Sequence, residues 1–300
     1  MAGAYSQVDL SQLAAPAVVE ELSFEAIRDQ MLADLVARSP DFSAMVESDP
    51  AYKVLEVAAY REMLMRQRVN DAARAVMLPY ANGTDLDNIA ANFGVARLLI
   101  TPADETTTPP TAAVYESDAE FRFRVTLSLE GYTTAGSAGS YVFHALSASG
   151  DVKDVAAVSP EPGEVVVYVL SRTDSGAASA ALLSTVEAAL NAEKVRPMTD
   201  HVTVQSATIV NYTVAAELVI YPGPDTEVVL AAARSAVEAY TAQQHRLGYD
   251  VTLSGIYSAL HQPGVKRVNL TTPAANLDVD QGDAPFCTEI TLTASVASNV

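Results

Sequence analysis

The stretch from Asp49 to Val95, DPAYKVLEVAAYREMLMRQRVNDAARAVMLPYANGTDLDNIAANFGV, constrains this chain more than any other, because it specifies a long helix, a stop and a short helix in one run. Asp49 is placed to cap the first turn, and Pro50 follows at the first helical position, where its missing N–H costs nothing. Pro79 is expected to end the run. Leu55, Ala58, Ala59, Met63, Val69, Ala72, Ala73, Val76 and Met77 recur at spacings of mostly three and four. Lys53, Glu56, Gln67, Asn70, Asp71 and Arg74 fall elsewhere on the wheel, which predicts an amphipathic helix with one buried stripe. Thr84 with Asp87 three residues on reads as a capping box; Leu86, Ile89, Ala90 and Phe93 form a helical face, and Gly94 then Val95 supply a left-handed stop. Nothing in the stretch is arranged for catalysis.

At 300 residues and 49% hydrophobic content the chain has material for real cores, in one large domain or two to three small ones. The formal charge of −19 argues against a nucleic-acid surface, which needs clustered Lys and Arg, and only 18 of these are spread along the chain. The same charge opposes binding to anionic lipid, and it is also the commonest solubility device. The longest aliphatic stretches, such as Val165 to Leu170, have strand length and fall far short of a membrane span. The first twenty residues lack a basic start and a continuous apolar segment, so a secretory signal is not expected. One cysteine, Cys287, excludes an intrachain disulfide and reads as a small buried hydrophobe in a strand.

Ser23 opens a first helix in which Ile27, Met31 and Leu35 share a face with Leu32 and Val36, and Pro40 ends it. TPADETTTPPT, residues 101 to 111, has no periodicity and reads as a linker. Ser117 and Glu120 form a second capping box, before a helix carrying Phe121, Val125, Leu129 and Tyr132. On it Arg122 and Arg124 read either as an anion clamp or, preferably, as solvated arginines of the outer face. AGSAGS, residues 135 to 140, lacks the Lys-Ser/Thr ending of a phosphate loop and reads as a turn and helix start.

A helix through Val142, Ala145 and Leu146, a turn at Gly150, and strands Val152 to Val158 and Val165 to Leu170 joined by PEPG follow. A helix from about Ala180 to Asn191 leads to a strand from His201 to Val204, and β-branched residues continue to Ile220 as a long strand or a bent pair. The last third echoes this plan. Ala145-Leu146 before Val152-Lys153-Asp154-Val155 has a counterpart in Ala259-Leu260 before Val265-Lys266-Arg267-Val268. Val186-Glu187-Ala188 before Asp200 likewise matches Val237-Glu238-Ala239 before Asp250 and a strand from Val251 to Leu253. An internal repeat and chance similarity both remain open. Phe286, Thr288, Ile290 and Leu292 alternate in a final strand, whose partner is either its own sheet or a neighbouring subunit. The fold class expected is α+β: an N-terminal helical domain over 1–100, a linker over 101–116, and two small α+β units over 117–205 and 206–300.

His144, His201, His245 and His261 are scattered and stand in no metal-ligand spacing. Asp200 beside His201 invites a hydrolase reading, but no G-x-S-x-G elbow is present to hold a nucleophile. Asp278, Asp280 and Asp283 lack the remainder of a calcium loop and read as a solvated acidic loop. Zero Trp and 7% aromatic residues argue against a carbohydrate-binding platform. No catalytic, cofactor or metal residue is assigned.

The series YREMLMRQRVNDAARAVMLPYANGTDLDNIAANFGVAR, DAEFRFRV, AGSAGSYVFHAL, VKDVAAVSPEPGEVVVYVL, RPMTDHVTV and GVKRVNL, in that order, resembles the baseplate J family of contractile-tailed bacteriophages over about residues 20 to 295. The first twenty residues and the acidic tail depart from the family pattern. The resemblance implies a non-enzymatic structural protein of the baseplate wedge, without cofactor, related to wedge proteins of contractile injection systems such as R-type pyocins. It further implies assembly with a second wedge protein into a sixfold ring around the hub, whose rearrangement triggers sheath contraction. Implied partners are other wedge proteins, further copies of the chain, and sheath-initiator or hub-proximal tail proteins, with no nucleic acid and no membrane. The implied location is the tail baseplate of the virion, and the host cytoplasm during assembly. In that setting Met65, Val69, Ala72, Val76, Arg122 and Arg124 are the candidate interface residues.

Overall fold

In a computed structural model, residues 10, 13–14, 16, 18–133, 136–223 and 225–297 are described. Two compact units are present, one spanning Val8–Ala96 and the other containing Arg97–Val300. The protein is α+β, with the helices of the first unit preceding the sheets of the second.

The first unit holds α1 (Phe24–Arg38), α2 (Pro50–Ala75) and α3 (Gly83–Ala91). Ser23 caps α1 by accepting from the Ala26 amide. Helix α2 begins at Pro50 as expected, but the Asp49 carboxylate turns back to accept from the Val46 amide at 2.9 Å and so organises the preceding turn. The helix ends at Ala75, four residues before Pro79, which lies in the following turn. Helix α3 begins at Gly83, whose φ of +52° suits the residue type, with Asn82 at the N-cap; Thr84 is therefore inside the helix, and the capping box expected of it is corrected. At the other end Gly94 adopts φ +67° and the amide of Val95 reaches the Ala90 carbonyl at 3.2 Å, with Val95 buried, so the left-handed stop forms as read.

The second unit opens with β1 (Leu99–Thr101) and β2 (Val114–Tyr115), which pair antiparallel, with a bridge between Asp104 and Thr111. The segment expected as a linker is thus an exposed ribbon. Helix α4 (Asp118–Leu127) starts in the anticipated capping box of Ser117 and Glu120. Helix α5 (Ala138–Ala148) starts with Ser137 accepting from the Ser140 amide, which makes the described part of the Gly/Ser stretch a helix start; Ala135 lies outside the described residues. Strands β3 (Val152–Val158) and β4 (Glu164–Ser171) form the hairpin, helix α6 (Ala180–Leu190) crosses over, and β5 (His201–Ser206) adds parallel to β4. Val142 and Ala145 of α5 and Val186 and Leu190 of α6 bury against Val155, Val167, Val169 and Val202 of this sheet.

One residue carries the chain to the next sheet. The amide of Ala207 bonds Val169 at 2.9 Å, and that of Thr208 bonds Gly282 at 3.0 Å. Strand β6 (Thr208–Ile220) is a single long strand with alternating burial, followed by α7 (Thr226–Gln244), α8 (Leu253–Leu260), β7 (Val265–Thr272) and β8 (Asp283–Val296). The strand expected from Val251 to Leu253 is corrected: Val251 makes an isolated bridge to Leu277, and Thr252 instead caps α8. Strand β8 pairs parallel with β6, so its partner is its own sheet. Its register slips beside Tyr212, leaving Thr288 as an extra residue, and the four residues read as one face are split. Cys287, Ile290 and Leu292 face the core, while Phe286 lies against the His245 ring at 5.2 Å. In both sheets the central strand has one antiparallel and one parallel neighbour. The chain order differs, since the central strand follows its antiparallel neighbour in the first sheet and precedes it in the second. What recurs is the local unit of helix, turn and strand, α5 with β3 and α8 with β7.

Candidate interaction surfaces

Helix α2 has 26 residues, about 39 Å of length at 1.5 Å per residue. Its inward face follows Tyr52, Leu55, Ala59, Met63, Arg66, Asn70 and Ala73, all buried or half-buried, and Met77 continues it in the turn that follows. The second half of that face is polar for a local reason. The Asn70 amide clamps the backbone of Glu20, donating to its carbonyl at 2.8 Å and accepting from its N–H at 3.0 Å, and Arg66 pairs with Glu62 and with the Glu20 carboxylate.

The opposite face stays open along its whole length. Val54, Val57, Met65, Val69 and Val76 are 69%, 61%, 72%, 59% and 73% exposed, with exposed Ala72 in the same row. Hence Val69, Ala72 and Val76 do not belong to the buried stripe; with Met65 they form an outward apolar row interrupted by exposed Arg61 and Arg68. Val54, Val57 and Leu64 extend the row, and their spacing of three and four is visible in the sequence once the buried face is fixed by Tyr52 and Ala59.

The two arginines of α4 separate. Arg124 is 4% exposed, corrected from the outer face to the interior. Its guanidinium forms a two-pronged ion pair with Glu116, donates to Ser147 Oγ at 3.3 Å and lies 5.6 Å from the Phe121 ring centroid. Buried in its own fold, it is unavailable to a partner. Arg122 is half-buried on the neighbouring face.

Asp200 and His201 do not assemble a site. Asp200 Oδ2 accepts the Tyr141 hydroxyl at 2.6 Å, and burial followed by this bond pushes the phenol's pKa upward. His201 is exposed at the start of β5, its backbone amide bonded to Gly163, and no hydrogen bond joins it to Asp200 among the described residues. His144 is lowered in pKa by burial and bonds the Gly131 carbonyl, while His261 ends α8 at the surface. Among the described residues no group of three His, Cys, Asp or Glu is disposed to hold a metal. The loop of Asp278, Asp280 and Asp283 follows local turn geometry, the Asp283 amide bonding the Asp280 carbonyl. No described helix is long and apolar enough to cross a membrane.

Matches to models of the baseplate J-like N-terminal, central and C-terminal domains cover residues 47–104, 133–206 and 212–293. The chain belongs to the baseplate J-like family. Baseplate protein J of Escherichia phage P2 is 51% identical over 289 residues, 94% of this chain and 96% of that protein. A solved assembly, the sixfold-symmetrised cryo-EM structure of the anti-feeding prophage baseplate, contains a chain with a TM-score of 0.41 and 14% identity, over 61% of this chain and 43% of that one. Likeness at that level decides nothing by itself. Members of this family are structural baseplate proteins, not known enzymes.

Proposed function

We propose that this protein is a structural component of the baseplate wedge of a contractile phage tail. It assembles with a second wedge protein into a sixfold ring around the tube hub, and its rearrangement triggers sheath contraction. The observation that carries the baseplate role is 51% identity, over 94% of the chain, to a phage baseplate protein J. The open row on α2 supports the finer reading. An exposed row from Val54 to Val76, about 33 Å long at 1.5 Å per residue and apolar but for Arg61 and Arg68, is what a helix bundled with partner helices requires.

In this reading the segment 1–100 serves bundling, 101–116 connects, and the units 117–205 and 206–300 make the ring contacts. Met65, Val69, Ala72 and Val76 are the interface residues on the helix, with Arg122 at a second surface. The partners are other wedge proteins, further copies of the chain, and sheath-initiator or hub-proximal tail proteins. The protein resides in the virion tail and passes through the host cytoplasm during assembly.

Co-expression with neighbouring tail proteins tests the reading. The wild-type chain is expected to co-purify with them, and Met65→Asp or Val69→Asp to fold normally yet fail to co-assemble. Complete, contractile particles built from the folded variants would remove α2 as the contact. A wild-type chain that stays monomeric beside every tail component would overturn the wedge assignment itself.

A further inference from the structure

The place where the two sheets of the second unit meet contains a contact that the structural role leaves unexplained. His245, at the C-cap of α7 and 9% exposed, is held from both sides. Lys153 Nζ of β3 donates to its Nδ1 at 2.8 Å, and its Nε2 lies 3.1 Å from the Ser175 carbonyl, just after β4. Bonding to a carbonyl requires Nε2 to carry the hydrogen, and accepting from an ammonium requires Nδ1 to be bare. The pair of contacts therefore fits only the neutral ring. On its far side stands Phe286 of β8. The remaining charged groups are Asp154 on β3, Arg172 after β4 paired with Glu120 of α4, and Arg246 beside the ring in sequence. Asp154 is already engaged by the amides of Val155 and Leu247, both at 3.0 Å. Among the described residues no carboxylate makes a hydrogen bond to the imidazole.

We propose that His245 is a pH-sensitive latch between the two sheets. Neutral, it ties Lys153 and Ser175 of the first sheet's unit to the end of α7 and to β8 of the second. Protonated, it loses its acceptor and sets a second cation against the Lys153 ammonium, so the junction loosens. The small core beneath it, Leu170, Ala207, Leu247 and Ala284, is the element that opens. Burial first, and the Lys153 charge second, lower the His245 pKa below its ordinary value, so the latch is closed at neutral pH and releases on acidification.

The test is a histidine NMR titration of the full-length protein from about pH 8 to about pH 5, with amide exchange followed at Gly176, whose N–H bonds the Thr173 carbonyl at 3.0 Å, and at Leu247, whose N–H bonds Asp154. At neutral pH His245 is expected as the Nε2–H tautomer, titrating below the ordinary ~6.5. Protonation should coincide with at least a tenfold loss of protection at both amides, the factor that accompanies about one pKa unit of coupling. His245→Gln retains an acceptor and a donor without titrating, and should hold protection constant over the same window; Lys153→Met should raise the His245 titration toward its ordinary value. An ordinary titration with unchanged exchange overturns the proposal. So does an equal acid-induced loss in His245→Gln, which would assign the effect to Asp154. Should His245→Gln fail to fold, the wild-type titration and Lys153→Met still decide.

Discussion

Arg124→Met is the substitution whose cost follows most directly from the geometry. The Arg124 and Glu116 side chains are 5% and 4% exposed, so water does not screen the pair and cannot replace the lost partner. Methionine keeps most of the aliphatic volume and removes the charge, both bonds to Glu116 and the bond to Ser147. Glu116 retains the Leu98 amide, which donates to its Oε1 at 3.1 Å. Breaking one side of a buried pair typically costs about 3–5 kcal/mol, and the surviving amide bond places this case near the lower end, at about 3 kcal/mol. Adding Glu116→Leu removes the stranded carboxylate and leaves the Leu98 amide short of one partner, a cost of about 1–3 kcal/mol. The double variant should thus be no worse than Arg124→Met alone. The two compact units rule out a single global midpoint as the readout, so local free energies are to be read from hydrogen exchange in α4 and α5 peptides. A loss below about 1 kcal/mol for Arg124→Met, the range of exposed pairs, would refute the assignment of this arginine to the interior.

Two further substitutions probe the frame. Gly94→Ala forces a side chain into φ +67° and should cost the helical unit about 1–2 kcal/mol by exchange in α3, whereas no loss would mean the stop re-forms right-handed. His201→Ala should leave particle infectivity and any envelope-degrading activity unchanged; a loss of such activity in assembled particles would reopen the hydrolase reading of Asp200 and His201.

What could be read in the sequence, and what could not, divides by the range of the interaction. The caps at Ser23 and Ser117 are legible because a hydroxyl and an amide three residues apart decide them. Asp49 fails for the same local reason: its carboxylate has a competing amide at Val46 behind it as well as those ahead. At Val251 a β-branched run suggests a strand, but Thr252 is a better cap than a strand residue once Gly255 presents its amide at 3.2 Å. Arg124 sits three residues after Phe121 and so on the same buried face, a clue that periodicity contains. Its partner Glu116 lies before the capping serine, outside any helical pattern, which is why the pair was not legible. The split face of β8 depends on a one-residue slip against β6, and nothing within β8 itself records the slip.

The open row on α2 follows from how the other face is used. An amphipathic helix normally gives its apolar stripe to its own core, yet here the inward face turns polar after Met63, where Asn70 and Arg66 hold the chain at Glu20. The apolar residues of the second half, Val69, Ala72 and Val76, lie a third to half a turn away and cannot reach that core without unmaking the clamp. Shortening the buried stripe is therefore the structural consequence of fixing the chain at Glu20, and the outward row is its complement. Replacing Asn70 with Leu should cost the Glu20 bonds without rescuing the exposed valines, because the helix would have to rotate by more than one residue, about 100°, to bury them.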